Sequence, residues 1–454
     1  MASPSALDQI VKAYDIRGTV PDQLDVDVAY ALGIGFAQFT KAQVVIVGRD
    51  MRPTGPELAE AFSRGLMEQG IDVIDIGLAS TDLLYFASGK LDAPGAMFTA
   101  SHNPAQYNGI KLCLSGARPV GESSGLNDVK VAAQQVLDGT RPTPVARPGR
   151  TTERDLLSAF VDHVVSFIDP SALRPMRVVA DTANGMGGLV VPAVFDRLPR
   201  LELEVMYGEL DGSFPNHPAD PLQSANQRDL QARVSSGAFD IGLAFDGDAD
   251  RVFVVDELGR GLSGSTTTGI LATSMLRKFP GATILHNLIC SRAVPEIIRE
   301  HGGTPVRTKV GHSYIKQLMA ETGAVFGGEH SAHYYFKDNY RADSGLIATM
   351  LMLEEMSRVG EPLSVIRRAY ERYSLSGEIN TQVDDTSQVI ESVSAKFSAF
   401  PQDRVDGLTV DCGEWWFNLR PSNTEPLLRL NLEAPDRDQC DLRVAELLAA
   451  ITSV

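Results

Sequence analysis

Short apolar runs recur along this chain with the same sequel: a polar loop, a segment of helical period, a second apolar run, and later a third that ends on a polar loop. Residues 42–47 form a strand-like run and 48–53 a polar loop. Residues 56–70 open on Pro56 and close on Gly70, the asymmetry expected of a helix. A second run covers 71–76, and the run Gly95-Ala-Met-Phe98 ends on Thr99-Ala-Ser-His-Asn-Pro104. The layout returns with a strand at 177–180, a glycine-rich loop at 181–188, a helix at 189–198 and a strand at 201–205. There the run 241–245 ends on Asp246-Gly-Asp-Ala-Asp-Arg251. A third round places strands at 282–285 and 304–308 around a helix at 291–300, and the run 324–326 ends on Gly327-Gly-Glu-His-Ser-Ala-His333. A long helix over 342–360 follows.

Such strand–helix–strand units favour right-handed crossovers and parallel or mixed sheets. The loops carry different residues, so the repeat is one of structure and not of sequence. Past about residue 373 the style changes: 415–419 and 427–433 read as antiparallel strands joined by 420–426, and a helix spans 437–451. A Pro/Gly-rich stretch at 138–149 and a turn at 256–261 mark joints. The expectation is an α/β fold with three similar mixed-sheet domains over 1–148, 149–254 and 255–370. A smaller α+β C-terminal domain covers 371–454.

Composition narrows the function. Hydrophobic residues make up 43% and charged residues 22% of 454, ordinary for a globular chain that buries real cores. The net charge of −17 argues against nucleic acid, which demands a basic face. An anionic substrate then needs a local positive cleft built from a few Arg and Lys residues. Cys113, Cys290, Cys412 and Cys440 lack the paired spacing of zinc or redox sites. The start lacks a signal-peptide layout, and no apolar run reaches membrane-spanning length, so a cytoplasmic protein without a membrane partner is expected.

Ser101 sits where a buried run stops, at the carboxyl end of a strand, the edge at which open α/β sheets gather ligands. Asp246, Asp248 and Asp250 alternate within one turn between apolar runs. Oxygen ligands of this kind suit Mg²⁺, which commonly sits between carboxylates and a phosphate; a solvated acidic turn is the plainer alternative. Arg251 is adjacent and offsets part of the charge. Arg420-Pro-Ser-Asn-Thr424 offers a guanidinium fork, the hydroxyls of Ser422 and Thr424, the Asn423 amide and backbone donors, a compact anion site. Glu329, Ser331 and His333 form a loop that reads either as a reader of sugar hydroxyls or as a self-satisfied network. Lys309 and His312 are phosphate or proton-transfer candidates, or surface residues. Lys111 follows the serine loop closely enough to serve there, and Arg17 stands beside Gly18 in a loop.

Five stretches, in order, resemble the α-D-phosphohexomutase family and its bacterial phosphomannomutase/phosphoglucomutase branch. They are Tyr14-Asp-Ile-Arg-Gly18, Thr99-Ala-Ser-His-Asn-Pro104, Asp246-Gly-Asp-Ala-Asp-Arg251, Gly328-Glu-His-Ser-Ala-His333 and Arg420-Pro-Ser-Asn-Thr-Glu425. The resemblance implies four domains in a heart shape around a central cleft, one loop from each. It implies a phosphoserine at Ser101, with Mg²⁺ held by its phosphate and by Asp246, Asp248 and Asp250. The catalytic set would be Ser101, His102, Arg17, Lys111 and His312, with Lys111 or His312 as general base and acid. Arg251, Lys309, Glu329, Ser331 and His333 would bind substrate, and Arg420, Ser422, Asn423 and Thr424 the phosphate that is not reacting. The implied partners are small hexose phosphates, mannose before glucose, and the implied assembly is a monomer or weak dimer.

Where some members carry lysine before Cys-Ser/Thr-Arg, this chain has Ile289. Its sugar loop reads Glu-His-Ser-Ala-His and its phosphate loop has Asn423, both of which favour hexose over hexosamine phosphate. The rivals are a phosphoglucosamine mutase, a phosphatase acting through phosphoserine or an aspartate, and a sugar-phosphate-binding protein without turnover.

Overall fold

The computed structural model describes residues 6–237, 239–421 and 427–452; the side chain of His312 also lies outside the described set. The expected α/β architecture is present, with a C-terminal domain built on an antiparallel sheet. One four-stranded arrangement occurs three times. In the first unit the order is Tyr107–Leu114, Gly95–Phe98, Val44–Arg49, Asp72–Leu78; the last three run parallel and Tyr107–Leu114 is antiparallel to Gly95–Phe98. The second unit orders Val252–Asp256, Ile241–Phe245, Met176–Asp181 and Leu201–Met206 in the same sense. The third orders Tyr334–Phe336, Phe326–Gly328, Thr283–Asn287 and Thr304–Thr308 likewise. Each chain path leaves its first strand to one side and returns on the other. The polar loops therefore emerge at a point where strand order reverses, the place where open sheets bind ligands.

Each polar loop is the hairpin between the third parallel strand and the antiparallel fourth. Each also carries one non-glycine residue in the left-handed region: Ser101 at φ 51°, Ala249 at φ 60° and Ala332 at φ 65°. Such backbone is uncommon outside glycine and is held only when its surroundings over-determine it.

The structure departs from the sequence reading in places. Arg17 lies not in a loop but on the strand Ile16–Thr19, antiparallel to Tyr107–Leu114 at the edge of the first sheet. Thr151–Glu153 pairs parallel with Asp72–Leu78, so the first sheet draws on residues past 148. The second sheet runs to Asp256, past the expected boundary at 254.

One apolar core runs through all three units. It includes Ile46, Phe86 and Met97 from the first, Phe160, Val178 and Leu243 from the second, and Ile270, Phe326 and Leu346 from the third. The helices Thr81–Leu91, Leu157–Val165, Gly264–Lys278 and Gly345–Val359 supply much of it. The fourth domain has a core of its own. Its five-stranded sheet orders Ser374–Gln382, Leu427–Ala434, Trp416–Pro421, Leu408–Asp411 and Gln402–Asp403. Alternation assigns its faces: Phe417, Leu419, Leu428, Leu430 and Leu432 pack with residues of the helices Thr386–Lys396 and Arg437–Thr452, while Asn418, Arg420, Arg429 and Asn431 take the other face. The cysteines are free. Among the described residues no helix is long and apolar enough to cross a membrane.

Candidate active site

The serine loop and the aspartate loop meet. Ser101, 4% exposed, donates from Oγ to Asp246 Oδ2 at 2.9 Å, and its Oγ lies 3.2 Å from His102 Nδ1. The aspartate loop passes directly beneath: a Cβ on Gly247 would stand 2.4 Å from the Ser101 carbonyl oxygen, so only glycine fits there. Asp246, Asp248 and Asp250 are buried, and one carboxylate oxygen of each lies within 4.8 Å of the others.

Two cations sit among these carboxylates. Lys111 Nζ donates to Asp248 Oδ2 and Asp250 Oδ2, both at 2.7 Å. Arg251 Nε donates to Asp246 Oδ2 at 2.8 Å and its backbone N–H to Asp246 Oδ1 at 3.1 Å. Burial works against the Lys111 ammonium, yet Asp248 and Asp250 hold its pKa well above the ordinary value. Burial and the neighbouring Asp250 and Asp248 push Asp246 up to about 8, against Arg251. Asp248 is held well below the carboxylate range despite its burial, because Lys111 and Thr81 both bond it. Burial, then Arg251 and Arg17, push His102 well below the usual imidazole value, so its ring is neutral.

The donor set fits a divalent cation. Among the described residues, Asp248 Oδ1 and Asp250 Oδ1 are buried with no hydrogen-bond partner. A buried acceptor left unpaired is costly unless an ion or water meets it. All three groups are hard oxygen donors of the kind Mg²⁺ takes.

The other expected residues gather to different degrees. Arg17 reaches the serine loop, bonding the Asn103 side chain and Asp15. Glu329 is almost wholly buried: its carboxylate accepts from the Tyr335 hydroxyl at 2.7 Å, from Gly311 N–H at 3.1 Å and from Asn287 Nδ2 at 3.3 Å. Ser331 Oγ lies 3.1 Å from His333 Nδ1, and His333 Nε2 is 3.8 Å from Asp250 Oδ1, which brings the loop of Glu329 to the aspartate loop. Lys309 is exposed, with its ammonium 5.5 Å from the centre of the Tyr314 ring. Arg420 lies on the strand Trp416–Pro421 and pairs with Glu378 at 3.0 Å. Ser422, Asn423, Thr424 and the His312 side chain lie outside the described residues. Arg292, next to the Ile289 departure, bridges the third domain to the fourth through Asp411, the Gly413 carbonyl and Glu433.

Sequence reading missed Arg52. Its side chain is fully buried and paired with Asp50 at 3.2 Å. The guanidinium donates to the carbonyls of Ser101 at 3.0 Å, Asn103 at 2.7 Å, Pro104 at 2.9 Å and Tyr107 at 2.8 Å. It thus wraps the whole serine loop from the loop across the sheet's switch point. The available signal was its place: a charged pair in the loop after the first strand of a doubly wound unit.

Family models of phosphoglucomutase/phosphomannomutase match along the chain: α/β/α domain I at residues 8–134, domain II at 158–259, domain III at 263–373 and the C-terminal domain at 378–450. A protein of Xanthomonas campestris named for phosphohexose mutases is 40% identical over 93% of this chain and 94% of its own. A phosphomannomutase of Salmonella montevideo is 38% identical over 97% and 98%. The crystal structure of a phosphoglucomutase/phosphomannomutase family protein from Burkholderia thailandensis superposes with a TM-score of 0.88 at 32% identity, covering 99% of this chain and 98% of that one. Fold, loop set and relatives agree, and the chain belongs to the phosphoglucomutase/phosphomannomutase family of α-D-phosphohexomutases, as a phosphohexose mutase.

Proposed function

We propose that the enzyme interconverts hexose 1-phosphate and hexose 6-phosphate through a phosphoserine at Ser101 and a hexose 1,6-bisphosphate, with mannose phosphate preferred and glucose phosphate accepted. One observation carries the reading: a buried serine hydroxyl donates to Asp246, a member of the carboxylate cluster that fits Mg²⁺. The mannose preference leans on the similarity to phosphomannomutases and on the sugar-loop residues that set the chain apart from hexosamine enzymes.

In this reading Asp246, Asp248 and Asp250 hold Mg²⁺ together with the Ser101 phosphate, and the bound ion supplies Lewis-acid stabilisation to phosphoryl oxygens. The charges support it. With all three carboxylates ionised, as a bound cation would hold them, they leave one negative charge against Lys111 and Arg251. A divalent cation makes this one positive, and a phosphoserine of about −1.5 to −2 leaves the cluster at about −0.5 to −1. Lys111, held as an ammonium, serves as acid and charge partner, which leaves proton removal to His312. His102 stays neutral beside Ser101, and Arg17 steadies the loop through Asn103. Glu329, Ser331 and His333 take sugar hydroxyls, and Arg420 with Ser422, Asn423 and Thr424 takes the distal phosphate, with Lys309 and Arg251 lending positive charge.

The experiment is intact-mass analysis with a hexose bisphosphate, with and without chelator. Wild type gains one phosphoryl group; Ser101→Ala gains none and loses nearly all turnover while keeping its fold. Excess chelator stops turnover and added Mg²⁺ restores it. Steady release of inorganic phosphate in place of isomerised sugar phosphate would make the enzyme a phosphatase and sink the proposal.

A further inference from the structure

Asp248 is gripped from another domain. Thr81 is the first residue of the helix Thr81–Leu91, whose N-cap is Ser80. A first-turn N–H has no partner within its own helix. Here the Thr81 N–H donates to the Asp248 carbonyl at 3.1 Å, and the Thr81 hydroxyl donates to Asp248 Oδ2 at 2.6 Å. One residue of the first domain thus holds both the backbone and the side chain of a residue in the second. Oδ2 also accepts from Lys111 Nζ at 2.7 Å. That oxygen is saturated by two donors, while Oδ1, buried and without a hydrogen bond among the described residues, is the one turned to other use.

The support is rigid. Thr81 is 0% exposed, and its β-branched side chain has restricted rotamers. The next residue, Asp82, accepts from Ser344 Oγ of the third domain at 2.6 Å, which fixes the start of the helix from the far side.

We propose that Thr81 is a positioning residue for the cation site: its hydroxyl occupies one oxygen of Asp248 so that the other faces the metal. The inference rests on the reading of Asp248 as a Mg²⁺ ligand. It places completion of the metal site at the junction of the first and second domains, so the site is whole only while those domains are docked. Outer partners of metal ligands typically govern affinity by about ten- to hundredfold.

The test is calorimetric titration of the full-length, dephosphorylated protein with Mg²⁺ alone. Thr81→Val keeps the shape and removes the hydroxyl; Thr81→Ser keeps the hydroxyl; Asp248→Asn is the control, and a thermal melt reports the fold of each. Thr81→Val should bind Mg²⁺ about ten- to hundredfold more weakly, with Thr81→Ser close to wild type. Should Thr81→Val fail to fold, Thr81→Ala takes its place with the same expected weakening. Wild-type affinity in the hydroxyl-free variant, or equal weakening in Thr81→Ser, overturns the proposal. If Asp248→Asn abolishes binding while Thr81→Val leaves it intact, the Thr81 role alone fails; if Asp248→Asn also leaves it intact, the ligand assignment fails with it.

Discussion

Arg251 and His333 pair as an antiparallel β-bridge. The first closes the aspartate loop and the second closes the loop that begins at Glu329, so these loops of different domains are joined backbone to backbone. Their spacing is set by main-chain hydrogen bonding and not by flexible side chains. A ligand that touches both meets a fixed distance.

Arg52 gives the sharpest positional prediction. Arg52→Lys retains a cation beside Asp50 but loses the planar fork that reaches the carbonyls of Ser101, Asn103, Pro104 and Tyr107. Losing charge-assisted contacts of about 1.5–3 kcal/mol should lower kcat roughly ten- to hundredfold. Mg²⁺ affinity should stay near wild type, since among the described residues the guanidinium bonds no carboxylate of the aspartate loop. A kcat within twofold of wild type would show that the loop holds its shape without Arg52.

Arg420 should act on substrate whichever way round it lies. In the proposed reaction the substrate presents either phosphate to Ser101, so the distal one needs an anchor common to both orientations. Arg420→Ala forfeits about 1.5–3 kcal/mol, or roughly ten- to more than a hundredfold in binding. The loss should be equal for 1-phosphates and 6-phosphates, read as apparent affinity for each. A defect confined to one of them would show that the loop is no shared anchor.

Asp82 ties stability to pH. Burial, and behind it Asp250 and Asp343, raise its pKa from 3.8 to about 7, despite hydroxyl donors Ser344 and Ser80. The folded chain therefore holds a proton that the unfolded chain releases near pH 4. Between about pH 4 and 7 the native state binds more protons, so this group's contribution falls as pH rises and is lost above 7. Asp82→Asn should flatten that stretch of the stability curve, measured by denaturant midpoints from pH 4 to 8. An unchanged slope would show that Asp82 ionises normally.

The polar loops were legible because each interrupts a buried run, a contrast that survives in one dimension. Their chemistry was legible for the same reason: Asp246, Asp248 and Asp250 need no partner elsewhere to look like oxygen ligands. The strand of Arg17 was not, since Ile16–Thr19 has no alternation of its own and exists by pairing with Tyr107–Leu114. Thr151–Glu153 is polar and exposed, so nothing in its composition shows that it completes the first sheet. Arg52 was marked only by its place beside Asp50 after the first strand, and Thr81, which acts through Asp248 of another domain, is marked by no local pattern. Arg292 bridges the third domain to the fourth through Asp411 and Glu433, contacts that no local pattern around it announces.

The division of apolar cores sets how the chain comes apart. The large core joins side chains of the first three units, and the C-terminal sheet buries a separate set. Cooperative melting follows shared burial, so the first three units should lose structure together while the last forms its own transition. Calorimetry should resolve two endotherms, the smaller belonging to the C-terminal domain; a single one would mean that the polar strut through Arg292 welds the two cores thermodynamically. The first unit also buries a set of its own, Leu32, Phe62 and Val129 among them, but its share of the large core, through Ile46, Phe86 and Met97, couples its melting to that of its neighbours.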